Sequence, residues 1–174
     1  LDAHGYPNQC LTPAVRALTP SQRIAGRVFT MKAEVVDGVP EQPYVLEMEA
    51  VDTAQPGDVL VIDAGHDRSC GFWGELLSTA CLAKGVRGVV MTACTRDLWA
   101  LNQLDFPVFG IGASPADSKG RVDASAIREP IVIDGVAVKQ GDYILGDCDG
   151  VVIIPQEIAA SVIAVRSFWR KMLR

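Results

Sequence analysis

Several familiar signals are missing from this chain of 174 residues, and each gap narrows what it does. No apolar run approaches the length of a membrane span, because charges or glycines interrupt every one, so no membrane partner is expected. Positive charge is not in surplus. The net charge of −5 argues against a nucleic-acid surface. The five cysteines, Cys10, Cys70, Cys81, Cys94 and Cys148, are odd in number, and no two share C-x-x-C spacing. Neither a disulfide framework nor a zinc site is expected, and a reducing cytoplasm is the natural setting. Cys81 and Cys94 lie in apolar surroundings and read as small core residues. No Gly-Lys-Ser/Thr follows a glycine loop, which excludes a P-loop, and no nucleotide-type glycine fingerprint supports a methyl-donor cofactor. The opening Leu1-Asp2-Ala3-His4-Gly5 lacks the basic and apolar regions of a signal peptide, and lacks Met, so the natural N-terminus is expected upstream. No repeat or low-complexity segment stands out.

Apolar content of 49% and charged content of 21% fit a globular protein, and the length fits one domain over 1–174 with a real core. Ile24 to Met31 reads as a strand in which Gly26 marks a bulge or a close backbone contact. A helix is predicted over Tyr44 to Val51. Pro56-Gly57-Asp58 turns into a strand over Val59 to Ile62. Gly74 to Lys84 has helical spacing of Leu76, Leu77, Ala80 and Cys81, with Gly85 as its stop. Gly88 to Met91 and Pro107 to Ile111 are too continuously apolar to face water and read as buried parallel strands, with a short helix over Asp97 to Leu101 between them. The last third changes character. Short strands at Ile131–Ile133, Val136–Val138, Tyr143–Leu145 and Val151–Ile154 are separated by Asp134-Gly135, Gln140-Gly141-Asp142 and Asp149-Gly150 turns. Pro155 opens a final helix through Trp169. The pattern predicts one mixed α/β domain, with a partly parallel sheet packed on a smaller antiparallel β-layer.

One spacing concentrates the chemistry. Glu75, within Gly74-Glu75-Leu76-Leu77, is followed after twenty residues by Arg96-Asp97. Both motifs lie at the ends of strands expected to be neighbours, where open α/β sheets bind ligands. Free N–H groups at a helix start favour an anion, Arg grips a carboxylate in two-pronged fashion, and Asp is a hard-cation ligand. Together they suit a small keto-acid held beside Mg²⁺. Each motif also has a plain structural use. Gly65, Gly71 and Gly74 suit an ordinary strand-to-helix loop. Glu75 suits either proton transfer or the outer shell of a metal, and equally a favourable place in the helix dipole. Thr95 or Asp97 suits a helix cap, with Arg96 in a surface ion pair. Asp147-Cys148-Asp149-Gly150 suits a tight turn better than a cation site. His66 is either an acid–base group or a solvated loop histidine, and His4 carries no comparable signal. Arg166, Arg170, Lys171 and Arg174 complement the dipole at the end of the last helix, where Phe168 and Trp169 suit a subunit contact.

At these residues the chain resembles the class II pyruvate aldolases that cleave 4-hydroxy-4-methyl-2-oxoglutarate, a family that also contains the regulator of ribonuclease E activity A. The matching pieces are Trp73-Gly74-Glu75-Leu76-Leu77, Gly85-Val86-Arg87-Gly88-Val89-Val90, Thr95-Arg96-Asp97, Leu104-Asp105-Phe106-Pro107-Val108-Phe109 and Gly146-Asp147-Cys148-Asp149-Gly150-Val151-Val152. The resemblance implies a swivelling-domain-type α/β sandwich, assembled as a homotrimer or homohexamer with active sites between subunits. It implies that the backbone of Gly74, Glu75, Leu76 and Leu77 holds the pyruvate carboxylate and that Arg96 binds the keto oxygen. It places Asp97 on Mg²⁺ or Mn²⁺ and Glu75 near the metal's water shell. The activity implied is retro-aldol cleavage of a 4-hydroxy-2-oxo acid, or oxaloacetate decarboxylation through the same pyruvate enolate. The alternatives are a non-catalytic regulator acting through protein contacts and a catalytically impaired relative that still binds a keto-acid. Two features depart from the family. The helix after Glu157 has no acid to lend to a neighbour's site, and the family's longer N-terminal helical segment is not present.

Overall fold

The computed structural model describes residues 1–18 and 23–172, and beyond 164 only the helical course of the backbone. Thirteen strands and four α-helices are assigned among the described residues. In chain order they are β1 (Arg16–Ala17), β2 (Ile24–Val35), α1 (Val45–Thr53), β3 (Asp58–Asp63), β4 (Gly71–Trp73), α2 (Glu75–Ala83), β5 (Val89–Met91) and β6 (Cys94–Thr95). Then follow α3 (Leu98–Leu101), β7 (Val108–Gly110), β8 (Gly112–Ala113), β9 (Val122–Ile127), β10 (Ile131–Ile133), β11 (Val136–Val138), β12 (Tyr143–Asp147), β13 (Gly150–Ile154) and α4 (Gln156–Met172).

The main sheet runs β1-β7-β5-β3-β2-β12-β13, with β9 added along the second half of β2. Strands β2, β3, β5 and β7 are parallel, and the remainder pair antiparallel. The N-terminal segment nearly closes this sheet. Gln9 and Leu11 hydrogen-bond to Ile153 and Val151 of β13, and the same segment continues into β1. The unbroken apolar runs of β3 and β5 now have their reason: both faces are covered. Leu60 and Ile62 face one core with Phe29, Met31, Trp73, Cys81 and Leu101, while Val59 and Val61 face a second with Val28, Phe109, Ile133 and Ile153. Each such side chain taken from water contributes roughly 1.5–3 kcal/mol.

The mixed α/β class holds, with adjustments. Strands β12 and β13 join the main sheet, so the separate antiparallel layer is only the β10–β11 hairpin. Its Asp134-Gly135 turn is as expected, with φ of 48° and 86°. A third sheet, parallel and ordered β4-β6-β8, was not anticipated. It continues the chain beyond the carboxyl ends of β3, β5 and β7 and sets the floor of the candidate site. Gly26 proves to be a close contact: a Cβ there would lie 2.5 Å from the Gly57 carbonyl oxygen. The readings made for Arg166, Phe168, Trp169, Arg170, Lys171 and Arg174 fall outside the described side chains.

Candidate active site at the ends of β4 and β6

Strands β4 and β6 are parallel neighbours with Trp73 paired to Thr95. The next residue on each strand is therefore Gly74 and Arg96, which brings the two motifs side by side. The Arg96 amide donates to the Trp73 carbonyl at 2.8 Å, and the Thr95 hydroxyl donates to the same oxygen at 2.9 Å. Beneath them Trp73 is fully buried, its indole N–H donating to Ser78 Oγ at 2.8 Å, and Ser78 in turn donates to the Gly74 carbonyl. This fixes the first turn of α2 to the strand before it.

Asp97 has φ 60° and ψ 30°, a left-handed conformation that Asp tolerates better than most residues. Its carboxylate does not cap its own short helix. Instead Oδ2 accepts the Glu75 backbone N–H at 3.1 Å, capping α2 from 22 residues away. Arg96 Nε lies 3.7 Å from the same oxygen. Arg96 Nη1 donates to the Gly71 carbonyl at 2.7 Å and lies 3.2 Å from Asp117 Oδ1. The site depends on absent side chains: a Cβ on Gly74 would fall 2.5 Å from Asp97 Oδ2 and 3.1 Å from Arg96 Nε, and one on Gly71 would meet the Ser114 carbonyl. The Glu75 carboxylate turns along its helix to accept the Thr79 hydroxyl at 2.9 Å. Leu77 packs toward the core, whereas Leu76 is 77% exposed at the rim, as is Trp99 at 82%.

Two residues without a sequence signal complete the surroundings. Asp117 follows β8 in a turn-rich stretch, and Tyr44 precedes α1 in a left-handed conformation with φ 69°. The Tyr44 hydroxyl donates to Asp117 Oδ2 at 2.7 Å. Burial, then the Asp117 carboxylate, pushes the Tyr44 phenol up to about 12. The Tyr44 hydroxyl, then the Arg96 charge, holds the Asp117 carboxyl below its ordinary value.

The other candidates lie elsewhere. His66 sits 3.0 Å from Asp134 on the β10–β11 hairpin. His4 belongs to a short 3-10 turn. Asp147 and Asp149 form the β12–β13 turn, with the Asp149 amide donating to Asp147 Oδ1 at 3.0 Å. A cleft of about 960 Å³ lies at the opposite, amino ends of the strands, lined by Ile24, Gly85, Arg87 and Pro107.

Burial keeps the thiols of Cys70, Cys81 and Cys94 protonated, with Cys81 pushed up to about 12. No described helix is long and apolar enough to cross a membrane.

Comparison with known proteins shows the family and the fold. The RraA-like family, described as Aldolase/RraA, matches residues 1–153. A Halalkalibacterium halodurans protein that carries the provisional name 4-hydroxy-4-methyl-2-oxoglutarate aldolase is 32% identical over 146 residues, covering 84% of this chain and 66% of that one. Protein DlpA of Legionella pneumophila is also 32% identical, over 95% of this chain but 27% of its own length. The chain thus spans less than two thirds of these two relatives. The crystal structure of RraAS2 from Streptomyces coelicolor, described as an unusual member of the RNase ES inhibitor RraA protein family, shares the fold. Its TM-score is 0.85 at 24% identity, covering all of this chain and 88% of that one.

Proposed function

Because the chain belongs to the Aldolase/RraA family, we propose that the Arg96–Asp97 site binds a 2-oxo acid beside Mg²⁺ or Mn²⁺ and breaks a carbon–carbon bond. The protein is then a metal-dependent lyase, acting on a 4-hydroxy-2-oxo acid, on oxaloacetate, or on both. The observation that carries this reading is the convergence of a guanidinium, a carboxylate in left-handed backbone and a helix N-terminus at the ends of β4 and β6.

The donor set fits a hard divalent cation. Asp97 is partly exposed, Arg96 lies near both Asp97 and Asp117, and Glu75 is the first residue of the helix that Asp97 caps. Mg²⁺ favours one or two carboxylates with water filling its remaining positions. Asp97 would hold the cation, which would supply Lewis-acid stabilisation of negative charge on the keto oxygen. The rest falls to the protein. The Glu75 amide is occupied by Asp97, so the Leu76 and Leu77 amides, next at the start of α2, hold the substrate carboxylate. Arg96, with Nη1 engaged by Gly71 and Asp117, presents its remaining donors to the keto oxygen. In retro-aldol cleavage the C3–C4 bond breaks, the C4 hydroxyl loses its proton, and the electron pair moves onto the keto oxygen. The pyruvate enolate so formed is stabilised by Arg96 and becomes pyruvate on protonation at C3. Glu75 is the side chain assigned to carry protons, leaving Thr79 to do so.

The exposed Leu76 and Trp99 support an assembly in which a second copy covers the site, as a trimer or hexamer. The buried free thiols support a reducing, cytoplasmic setting. The reading is tested by following pyruvate from oxaloacetate with Mg²⁺, with and without chelator, then by screening 4-hydroxy-2-oxo acids. Chelator-sensitive turnover supports it. Turnover that ignores chelator refutes the metal assignment. No turnover, with capture of a ribonuclease by the folded protein, moves the conclusion to the regulatory alternative, and keto-acid binding without turnover moves it to an impaired relative.

A further inference from the structure

We propose that Tyr44 and Asp117 form a positioning pair that fixes the guanidinium of Arg96 for its ligand. This rests on the reading above, in which Arg96 meets the keto-acid. Three segments distant in sequence meet here: the start of α1, the turn after β8, and the residue following β6. The contacts form one line. The Tyr44 hydroxyl donates to one oxygen of Asp117 at 2.7 Å, and the other oxygen lies 3.2 Å from Arg96 Nη1.

Each part has a physical task. Without Tyr44, only the Ser118 amide on Oδ1 would hold the Asp117 carboxylate, and Oδ2 could turn onto Arg96 as well, neutralising the charge that the enolate needs. The tyrosine hydroxyl holds one oxygen away and takes up part of the carboxylate's charge. Asp117 then locks one edge of the guanidinium while leaving the rest to the ligand. The backbone agrees. Tyr44 holds φ 69°, a conformation unfavourable for a bulky side chain, and such outliers gather where geometry is constrained by function. Its amide is held as well, donating to Asp123 Oδ1 at 3.4 Å, so the ring is anchored at both ends. Asp117 has its own brace, accepting the Ser118 amide at 2.9 Å through Oδ1.

The test uses the full chain with Tyr44→Phe, Asp117→Asn and both together. Kinetics with oxaloacetate and Mg²⁺ are expected to show kcat lowered about tenfold in each, the size of a hydrogen bond to a charged group, with KM changed less than threefold. The double variant should fall no further than the worse single one, because the residues act as a unit. An independent reading is the ¹⁵Nη spectrum of Arg96, assigned by its loss in Arg96→Lys. Restricted rotation should resolve the Nη signals in the parent and merge them in both variants. Additive losses, a change confined to KM, or Nη signals unaltered in folded Tyr44→Phe and Asp117→Asn would overturn the proposal. An inactive parent counts against the lyase reading alone, and the Nη signals then decide the positioning role.

Discussion

Two acidic turns in this molecule, each following a short strand, have opposite fates. At the end of β12, Asp147, Cys148 and Asp149 crowd together with Gly150, and their carboxylates are exposed. There the Asp147 carboxylate binds the Asp149 amide of its own turn. At the end of β6, Asp97 instead reaches across to the first amide of another helix, beside a guanidinium held by a third segment. An acid that satisfies its neighbour shapes a turn. An acid held by distant partners, in a backbone conformation it would not choose alone, is placed for something else.

The largest expected effect breaks the comparison directly. Asp97→Ala should lower metal-dependent turnover by at least roughly 100-fold and cost about 1 kcal/mol of stability through the lost helix cap. Asp147→Asn and Asp149→Asn should leave turnover unchanged. Initial rates with oxaloacetate and thermal unfolding of the same samples check both halves.

Next come the glycines. Gly74→Ala would drive its methyl against Asp97 and Arg96, and should lower turnover by about tenfold or more, as misplacement of a binding group does. A Cβ on Gly150 meets open space but suffers φ 144°, so Gly150→Ala should cost about 1 kcal/mol of stability and no activity. Denaturant unfolding together with kinetics separates the two outcomes.

A buried acid extends the contrast inward. Glu47 of α1 is 2% exposed, Oε2 has no hydrogen-bond partner among the described residues, and burial, then the nearby Asp123 carboxylate, pushes its carboxyl up to about 7. The folded state therefore holds a proton that the unfolded chain releases near its ordinary value of 4.5. Stability from this group is fully present below that value and is lost as pH rises through about 7. Glu47→Gln should remove that loss, raising Tm at pH 8 relative to the parent by an amount equivalent to roughly 3 kcal/mol, with little change at pH 4. Melting curves at the two pH values decide it.

How much of this was legible follows from where the information lies. The strands β3, β5 and β7 are β-branched or aromatic runs bounded by turn residues, so local pattern sufficed. The Asp134-Gly135 hairpin was equally plain. The Gly74-Glu75 and Arg96-Asp97 motifs also stood out, because both follow such strands. The strands β4, β6 and β8 did not, since two or three residues show no periodicity and their pairing is wholly non-local. The Asp97 cap on α2 was not legible, since short-range rules offer Asp97 or Thr95 only as a cap for the helix that follows, beside the metal-ligand role expected of Asp97. Tyr44 and Asp117 left no trace, because their contact depends on the fold bringing residues 73 positions apart together.

The most direct test of the central claim is calorimetric titration of the protein with oxalate, a planar mimic of the pyruvate enolate, in Mg²⁺ and in chelator, alongside Asp97→Ala. The account predicts binding that requires Mg²⁺ and disappears in the variant. Equal binding in chelator, or by a folded Asp97→Ala protein, would contradict it.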